Sequence, residues 1–154
     1  MPSDDGFKEL QQKLQALRGD AYVKAQRRAL REVGGFIKAE LVENTPVKAG
    51  TESGLLKEGE LAESIRAYVS VPSDEKVLSG ATAKVTVGPS GASCKLVAHD
   101  VEYGHKNIKR GKQSEKRPET PPHPFIRTTA DQTESAAIDL YRASMTDELQ
   151  KAMR

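Results

Sequence analysis

Three prolines in the stretch "ETPPHPFIRTTAD", residues 119–131, constrain the fold more than any other feature of this sequence. Each proline fixes φ at roughly −65° and biases the residue before it toward extended backbone, so the chain is stiff here. A segment with helical spacing follows, and Pro124 suits the first turn of a helix, where its missing N–H needs no partner. The prolines therefore predict a fixed direction for a long C-terminal helix that begins at about Pro124.

The composition predicts one small domain with little material for a core. Of the 154 residues, 36% are hydrophobic, 5% are aromatic and 30% are charged. A chain of this length suits a single domain, and one with so few apolar residues often gains stability from neighbouring subunits. The net charge of +2 is too small to indicate nucleic acid or an anionic membrane as the main partner.

The N-terminus and the single cysteine favour a soluble intracellular protein. The opening "MPSDDGFKEL" lacks the basic and apolar regions of a signal peptide. No apolar run approaches the ~18 residues that indicate a membrane span. Cys94 has no second cysteine to form an internal disulfide with, and we expect it to be a small core residue in a reducing compartment.

The spacing of apolar residues predicts two helices in the first third of the chain. Residues 4–18 carry an apolar stripe at steps of three and four, and we expect residues 1–19 to form a helical arm that packs on an adjacent protein. A second helix is predicted over about residues 21–43. Gly34 and Gly35 in its middle cost roughly 1 kcal/mol each against Ala, which indicates a kink or the close approach of another element. The residues of the first stripe are Phe7, Leu10, Leu14 and Leu17.

The middle of the chain predicts a small antiparallel sheet. The stretch "ELAESIRAYVSV" begins with helix-compatible residues and ends as a strand, and "ATAKVTVGPSG" alternates as a half-buried strand. Residues 94–104 are either a strand or a single helical segment, because so short a run does not distinguish the two. This order predicts an α+β fold, in which a long N-terminal-half helix and a long C-terminal helix pack on the sheet and extended loops connect the elements. Residues 20–154 are expected to form a single domain.

A mobile basic loop is predicted over residues 105–120, which are rich in Lys and Arg and contain one apolar side chain. Basic loops grip phosphates, so the alternative function is a nucleic-acid-binding module that uses residues 106–117. Specific readers of nucleic acid usually add aromatic residues or a recognition helix, and this loop has neither. The favoured contact of the loop is therefore an acidic protein partner.

No pattern of an enzyme or a metal site emerges from the sequence. His99, His105 and His123 lie near two carboxylates, but uneven loops separate them, whereas metal ligands usually lie on rigid elements at short spacings. Asp100 and Glu102 share a face in a strand and point about 200° apart in a helix. No nucleophile and no Gly-rich phosphate loop accompanies them. We therefore assign no catalytic residue, no metal and no cofactor.

Three stretches, read together, resemble a known family. They are "ENTPVKAGTESGLLKEGELAESIRA", "VAHDVEYGHK" and "TPPHPFIRTTAD", in this order. Their order and spacing are similar to those of the tail-component family of tailed bacteriophages, which are small neck or tail-completion proteins of long-tailed phages and prophages. The resemblance extends over roughly Ala29 to Asp139. The residues that match the family's patterns are Pro46, Leu56, Ser64, Ile65, Ala98, Val101, Glu102, Gly104, Pro121, Pro122, Pro124 and Phe125, while a glycine of the first pattern aligns with Gly50, Gly54 or Gly59.

The resemblance implies a structural protein of the virion rather than an enzyme. It implies a homo-oligomeric ring, expected to be a hexamer, that is made in the bacterial host cytoplasm and located in the neck or tail. The implied partners are other neck, connector and tail-tube proteins, with non-specific contact to DNA in the lumen and no membrane. The subunit or partner interface is expected to include Phe7, Leu10, Leu14, Glu102, Gly104, Lys106, Lys109, Arg110, Pro121, Pro122, Pro124 and Phe125.

Overall fold

The computed structural model of the chain describes residues 19–51, 54–73, 82–104 and 121–152. The predicted basic loop and all but the last residue of the predicted N-terminal arm lie outside the described residues. The same holds for half of the predicted interface residues, namely Phe7, Leu10, Leu14, Lys106, Lys109 and Arg110.

The described residues form four helices and two strands, and the predicted α+β class is confirmed. The two strands pair as a small antiparallel sheet on which the long helices pack. The segment that the sequence left open between strand and helix is a helix. In chain order the elements are α1 (Asp20–Asn44), α2 (Glu60–Glu63), β1 (Ile65–Ser70), β2 (Lys84–Pro89), α3 (Ala92–Tyr103) and α4 (Phe125–Ala152).

Helix α1 contacts the sheet through a glycine. The apolar side predicted for this helix is buried at Ala25, Ala29, Val33 and Leu41. A Cβ added to Gly34 would lie 2.9 Å from Cγ2 of Val85 and 3.3 Å from Cβ of Ala67, whereas one added to Gly35 meets nothing within 4 Å. Gly34 therefore provides the close approach that the sequence indicated, because any larger residue would push the strands away.

The chain divides into two compact units. The described part of the first comprises residues 19–36, 67–73, 82–86 and 135–152. Within it, Gln26 Nε2 donates to the Tyr141 hydroxyl at 3.5 Å, and Arg28 Nη1 lies 2.7 Å from Glu148 Oε2. The prediction that residues 20–154 form a single domain stays a prediction.

The second unit contains the principal apolar core, to which α1, α2, β1, α3 and α4 all contribute. The cysteine is buried there, as predicted. Gly50 adopts a φ of 77°, which favours glycine, and a Cβ at that position would lie 3.0 Å from both methyl groups of Val97. The loop before α2 therefore packs tightly on α3. The core residues are Leu41, Ala49, Leu56, Leu61, Ile65, Cys94, Val97, Ala98 and Phe125.

Two of the buried residues on α4 are threonines and not apolar residues. Ala130 is exposed, whereas Thr129 and Thr133 are buried. The Thr129 hydroxyl donates to the Phe125 carbonyl at 2.7 Å, and the Thr133 hydroxyl donates to the Thr129 carbonyl at 2.8 Å. Because the helix itself supplies these acceptors, the buried hydroxyl groups are satisfied.

Candidate functional site

Helix α4 begins without a cap of its own, and a carboxylate from α3 supplies it. Pro124 precedes the helix and has no side-chain oxygen to accept from the first free amides. The Ile126 amide donates to Glu102 Oε2 at 2.8 Å, and the Arg127 amide donates to Oε1 at 3.1 Å. The Arg127 Nε also donates to Oε1, at 2.9 Å. Glu102 therefore caps a helix that starts more than twenty residues later, and its negative charge lies at the positive end of the helix dipole.

The hydrogen bonds keep Glu102 charged although its side chain is buried. Glu102 is only 3% exposed. Burial alone would raise the pKa of this carboxyl, but hydrogen bonds from the Ile126 amide and from the side chain and amide of Arg127, together with the Arg127 charge, hold the pKa below its ordinary value of 4.5. The carboxylate is therefore ionised at neutral pH, which is the form that accepts all three hydrogen bonds.

Backbone hydrogen bonds fix the proline segment on the C-terminal end of α3, where Glu102 also lies. The His123 amide donates to the Val101 carbonyl at 2.7 Å, and the Phe125 amide donates to the His123 carbonyl at 2.9 Å. The Phe125 side chain is 2% exposed and belongs to the core. Gly104 follows α3 with a φ of 70°, a conformation that favours glycine. We call this set of contacts the Glu102 junction. It consists of the hydrogen bonds from the start of α4 to Glu102 and of the backbone hydrogen bonds that join Val101, His123 and Phe125.

An open, mostly apolar groove of about 330 Å³ lies between α3 and the start of α4. Tyr103 lies on its wall and is 58% exposed. The Arg127 guanidinium lies 5.0 Å from the centre of the Tyr103 ring. The centre of the His99 ring also lies 5.0 Å from the centre of the Tyr103 ring. Arg127 is therefore fixed from two sides, by the Glu102 carboxylate and by an aromatic face.

Asp100 and Glu102, the two carboxylates weighed as an acid/base pair, have different partners in the structure. Because the segment is helical, Asp100 and Glu102 point to different sides, and Glu102 is engaged with the start of α4. Asp100 lies near His99, with Oδ1 3.7 Å from Nδ1. Within the described ranges, no group of three or more His, Cys, Asp and Glu residues could hold a metal ion. The hydrogen bonds of Glu102 join α3 to the start of α4.

No helix in the described part of the chain has the length and apolar character needed to cross a membrane.

The structure brings together four of the predicted interface residues. Glu102 and Phe125 are buried within the subunit, and Gly104 and Pro124 lie beside them in the chain. All three prolines of the segment are exposed. Whether any of these residues contacts another subunit stays a prediction.

The sequence reasoning missed the capping role of Glu102 and the position of Arg127. One signal was available: "PPHPF" offers no Ser, Thr, Asp or Asn directly before the helix, so an acceptor from elsewhere was needed. The sequence did not indicate which acidic residue would supply it.

The comparison with known families defines the class of this protein as a structural component of a phage tail. Residues 8–104, more than half of the chain, match the family described as "Bacteriophage HK97-gp10, putative tail-component", and the chain belongs to that family. As a tail component it is located in the virion and contacts other phage structural proteins.

The matched range differs at both ends from the extent expected from the sequence. It begins at residue 8 and so includes most of the N-terminal stripe, and it ends at residue 104, before the proline segment. No curated protein and no solved structure matches the chain at a significant level.

Proposed function

We propose that this protein is a neck or tail-completion subunit that forms a closed ring, expected from the family resemblance to be a hexamer, and joins the tail tube to the head connector. In this role it acts by assembly and not by catalysis. Family membership supports the general class, and the Glu102 junction is the observation that carries the finer proposal.

The junction supports this proposal because a ring subunit must present its faces at a fixed angle. In a closed ring one face of a subunit contacts a different face of the next, and the rotation closes only if the angle between those faces is held. Glu102 and the Val101 carbonyl hold the start of α4 on α3, while the prolines stiffen the chain that enters it. The exposed prolines are then available for contact with a neighbouring subunit.

A double substitution, Pro122→Ala with Pro124→Ala, tests the proposal. We expect the isolated subunit to lose roughly 0.4–1 kcal/mol per proline, because the unfolded chain gains freedom. We expect assembly to suffer more, with the yield of infectious particles falling about tenfold or more, because the same loss is repeated at every subunit contact of the ring. The measurements are particle titre after complementation and the unfolding midpoint of the purified subunit.

Pro72→Ala is the matched control, because Pro72 lies outside the helices, the strands and the junction. We expect it to lower subunit stability by roughly 0.4–1 kcal/mol, the amount expected for one proline, and to change particle yield very little. Equal yields from wild type and the double variant would contradict the proposed role of the proline segment.

A further inference from the structure

The groove between α3 and α4 has the features of a peptide-binding site. Its volume of about 330 Å³ is at the lower end of the range for ligand pockets, and its mostly apolar wall suits side chains of a peptide. The chain has few aromatic residues, yet the Tyr103 ring is 58% exposed at this groove. Tyrosine is enriched at protein interfaces because its ring offers a large apolar contact area and a polar tip.

Two cations at the groove have hydrogen-bond donors that no described residue accepts from. Arg127 donates its Nε to Glu102, and its two outer nitrogens make no hydrogen bond to any described residue. Lys95 is exposed and forms no ion pair within the described ranges. A guanidinium already fixed by a carboxylate and an aromatic ring loses little freedom when it binds a second carboxylate. The groove therefore favours a ligand that carries carboxylates next to apolar anchors.

A segment near the N-terminus, outside the described residues, combines this chemistry with an aromatic side chain. The sequence "SDDGFKEL", residues 3–10, has two adjacent aspartates that are followed, after Gly6, by Phe7 and then by Leu10. Of the three phenylalanines, Phe125 is buried and Phe36 is half-buried, and neither has an acidic residue within three positions. The spacing of Phe7, Leu10 and Leu14 is that of the anchors of a helix that binds in a groove.

We propose that residues 4–14 of one copy of this chain bind the α3–α4 groove of the neighbouring copy. Phe7 and Leu10 enter the apolar groove beside Tyr103, and Asp4 and Asp5 pair with Lys95 and Arg127. This inference rests on the proposed ring, since contact between an N-terminal segment and a groove joins two different faces of the subunit. It adds to the ring a named contact surface and its occupant.

Crosslinking in assembled particles tests this contact. Particles are prepared with a chain that carries both Gly6→Cys and Lys95→Cys and are treated with a short bis-maleimide. We expect a ladder of crosslinked oligomers on a denaturing gel, because each segment lies in the groove of the next copy. Gly6→Cys with Glu134→Cys is the matched control, since Glu134 is exposed and does not line the groove, and it should give no ladder. Each single variant controls for reaction at the buried Cys94.

The outcomes separate this inference from the proposed function. A crosslink that stays within one chain, or no crosslink in particles that contain the protein, overturns the inference and leaves the ring proposal intact. Particles that lack the protein overturn the ring proposal, and the inference with it.

A charge exchange gives a second test that needs no cysteine. We expect Asp5→Lys and Lys95→Glu each to lower the particle yield about tenfold or more, because like charges at a contact cost several kcal/mol. The two changes together should restore most of the yield. No recovery in the double variant would contradict the pairing of these residues.

Discussion

At the scale of single residues, Glu102 decides how α4 starts, because it accepts from two amides that the proline segment leaves without a local partner. A helix normally obtains this cap from a side chain next to its first turn. Here the cap comes from another helix, so these two hydrogen bonds, together with the one from Arg127 Nε, also tie α3 to α4. Loss of this one carboxylate therefore destabilises the first turn of α4 and removes hydrogen bonds that hold the angle between α3 and α4.

Replacing Glu102 with glutamine removes the charge and one of the acceptor positions while keeping the shape. We expect Glu102→Gln to lower the free energy of unfolding by about 1.5–3 kcal/mol at neutral pH, the range for hydrogen bonds to charged groups. Chemical denaturation measures this directly. The control is Glu134→Gln, at an exposed position on α4, for which we expect a change within about 0.5 kcal/mol.

The same carboxyl gives stability a defined pH dependence. Its pKa is lower in the folded protein than the ordinary value of 4.5, so its contribution is fully present above 4.5 and is lost as pH falls through the folded pKa. We expect the difference in unfolding free energy between wild type and Glu102→Gln to shrink as pH is lowered from about 7 to about 3. A difference that stays constant over this range would contradict the assignment of the charge to this cap.

At the scale of elements, we expect replacement of two neighbouring glycines in α1 by alanine to change stability in opposite directions. Alanine is favoured over glycine by about 1 kcal/mol in a helix interior, and Gly35 has open space around it, so Gly35→Ala should be stabilising by about that amount. Gly34→Ala should be destabilising, because the new methyl lies 2.9 Å from Val85 Cγ2 and overpacking costs about 1–3 kcal/mol. Thermal or chemical unfolding of the two variants measures the sign.

A third substitution checks the cause at Gly34. Val85→Ala removes the methyl group that Gly34→Ala would meet first, although Ala67 Cβ at 3.3 Å stays. In the Val85→Ala background we expect Gly34→Ala to become close to neutral or stabilising. If both glycine variants gain stability equally in the wild-type background, the close approach of the strand to Gly34 is wrong.

The elements differ in how far the sequence predicted them. Helices α1 and α4 and both strands were predicted because each repeats its period over enough residues. Helix α3 was left open because its run is short. Thr129 and Thr133 were not expected in the core, since their burial depends on carbonyls that only the formed helix offers. The pairing of Glu102 with Ile126 is non-local, and periodicity carries no information about such pairs.

At the scale of the whole molecule, the family assignment came from short stretches in a fixed order, and the match over residues 8–104 confirms it. The same short stretches did not identify which residues contact another subunit. Phe125 and Glu102 stabilise the subunit itself, so their presence in a family pattern does not distinguish folding from assembly. Contact between copies depends on surfaces that one chain alone does not define.

The central claim, that this protein is a ring component of the phage neck, is tested most directly by its copy number in purified particles. The chain is tagged at its C-terminus, particles are produced from the phage or prophage that encodes it, and the protein is quantified against the major tail subunit. We predict a small, fixed number of copies per particle, consistent with one closed ring. Absence from finished particles, or a copy number that rises with tail length, would contradict the claim.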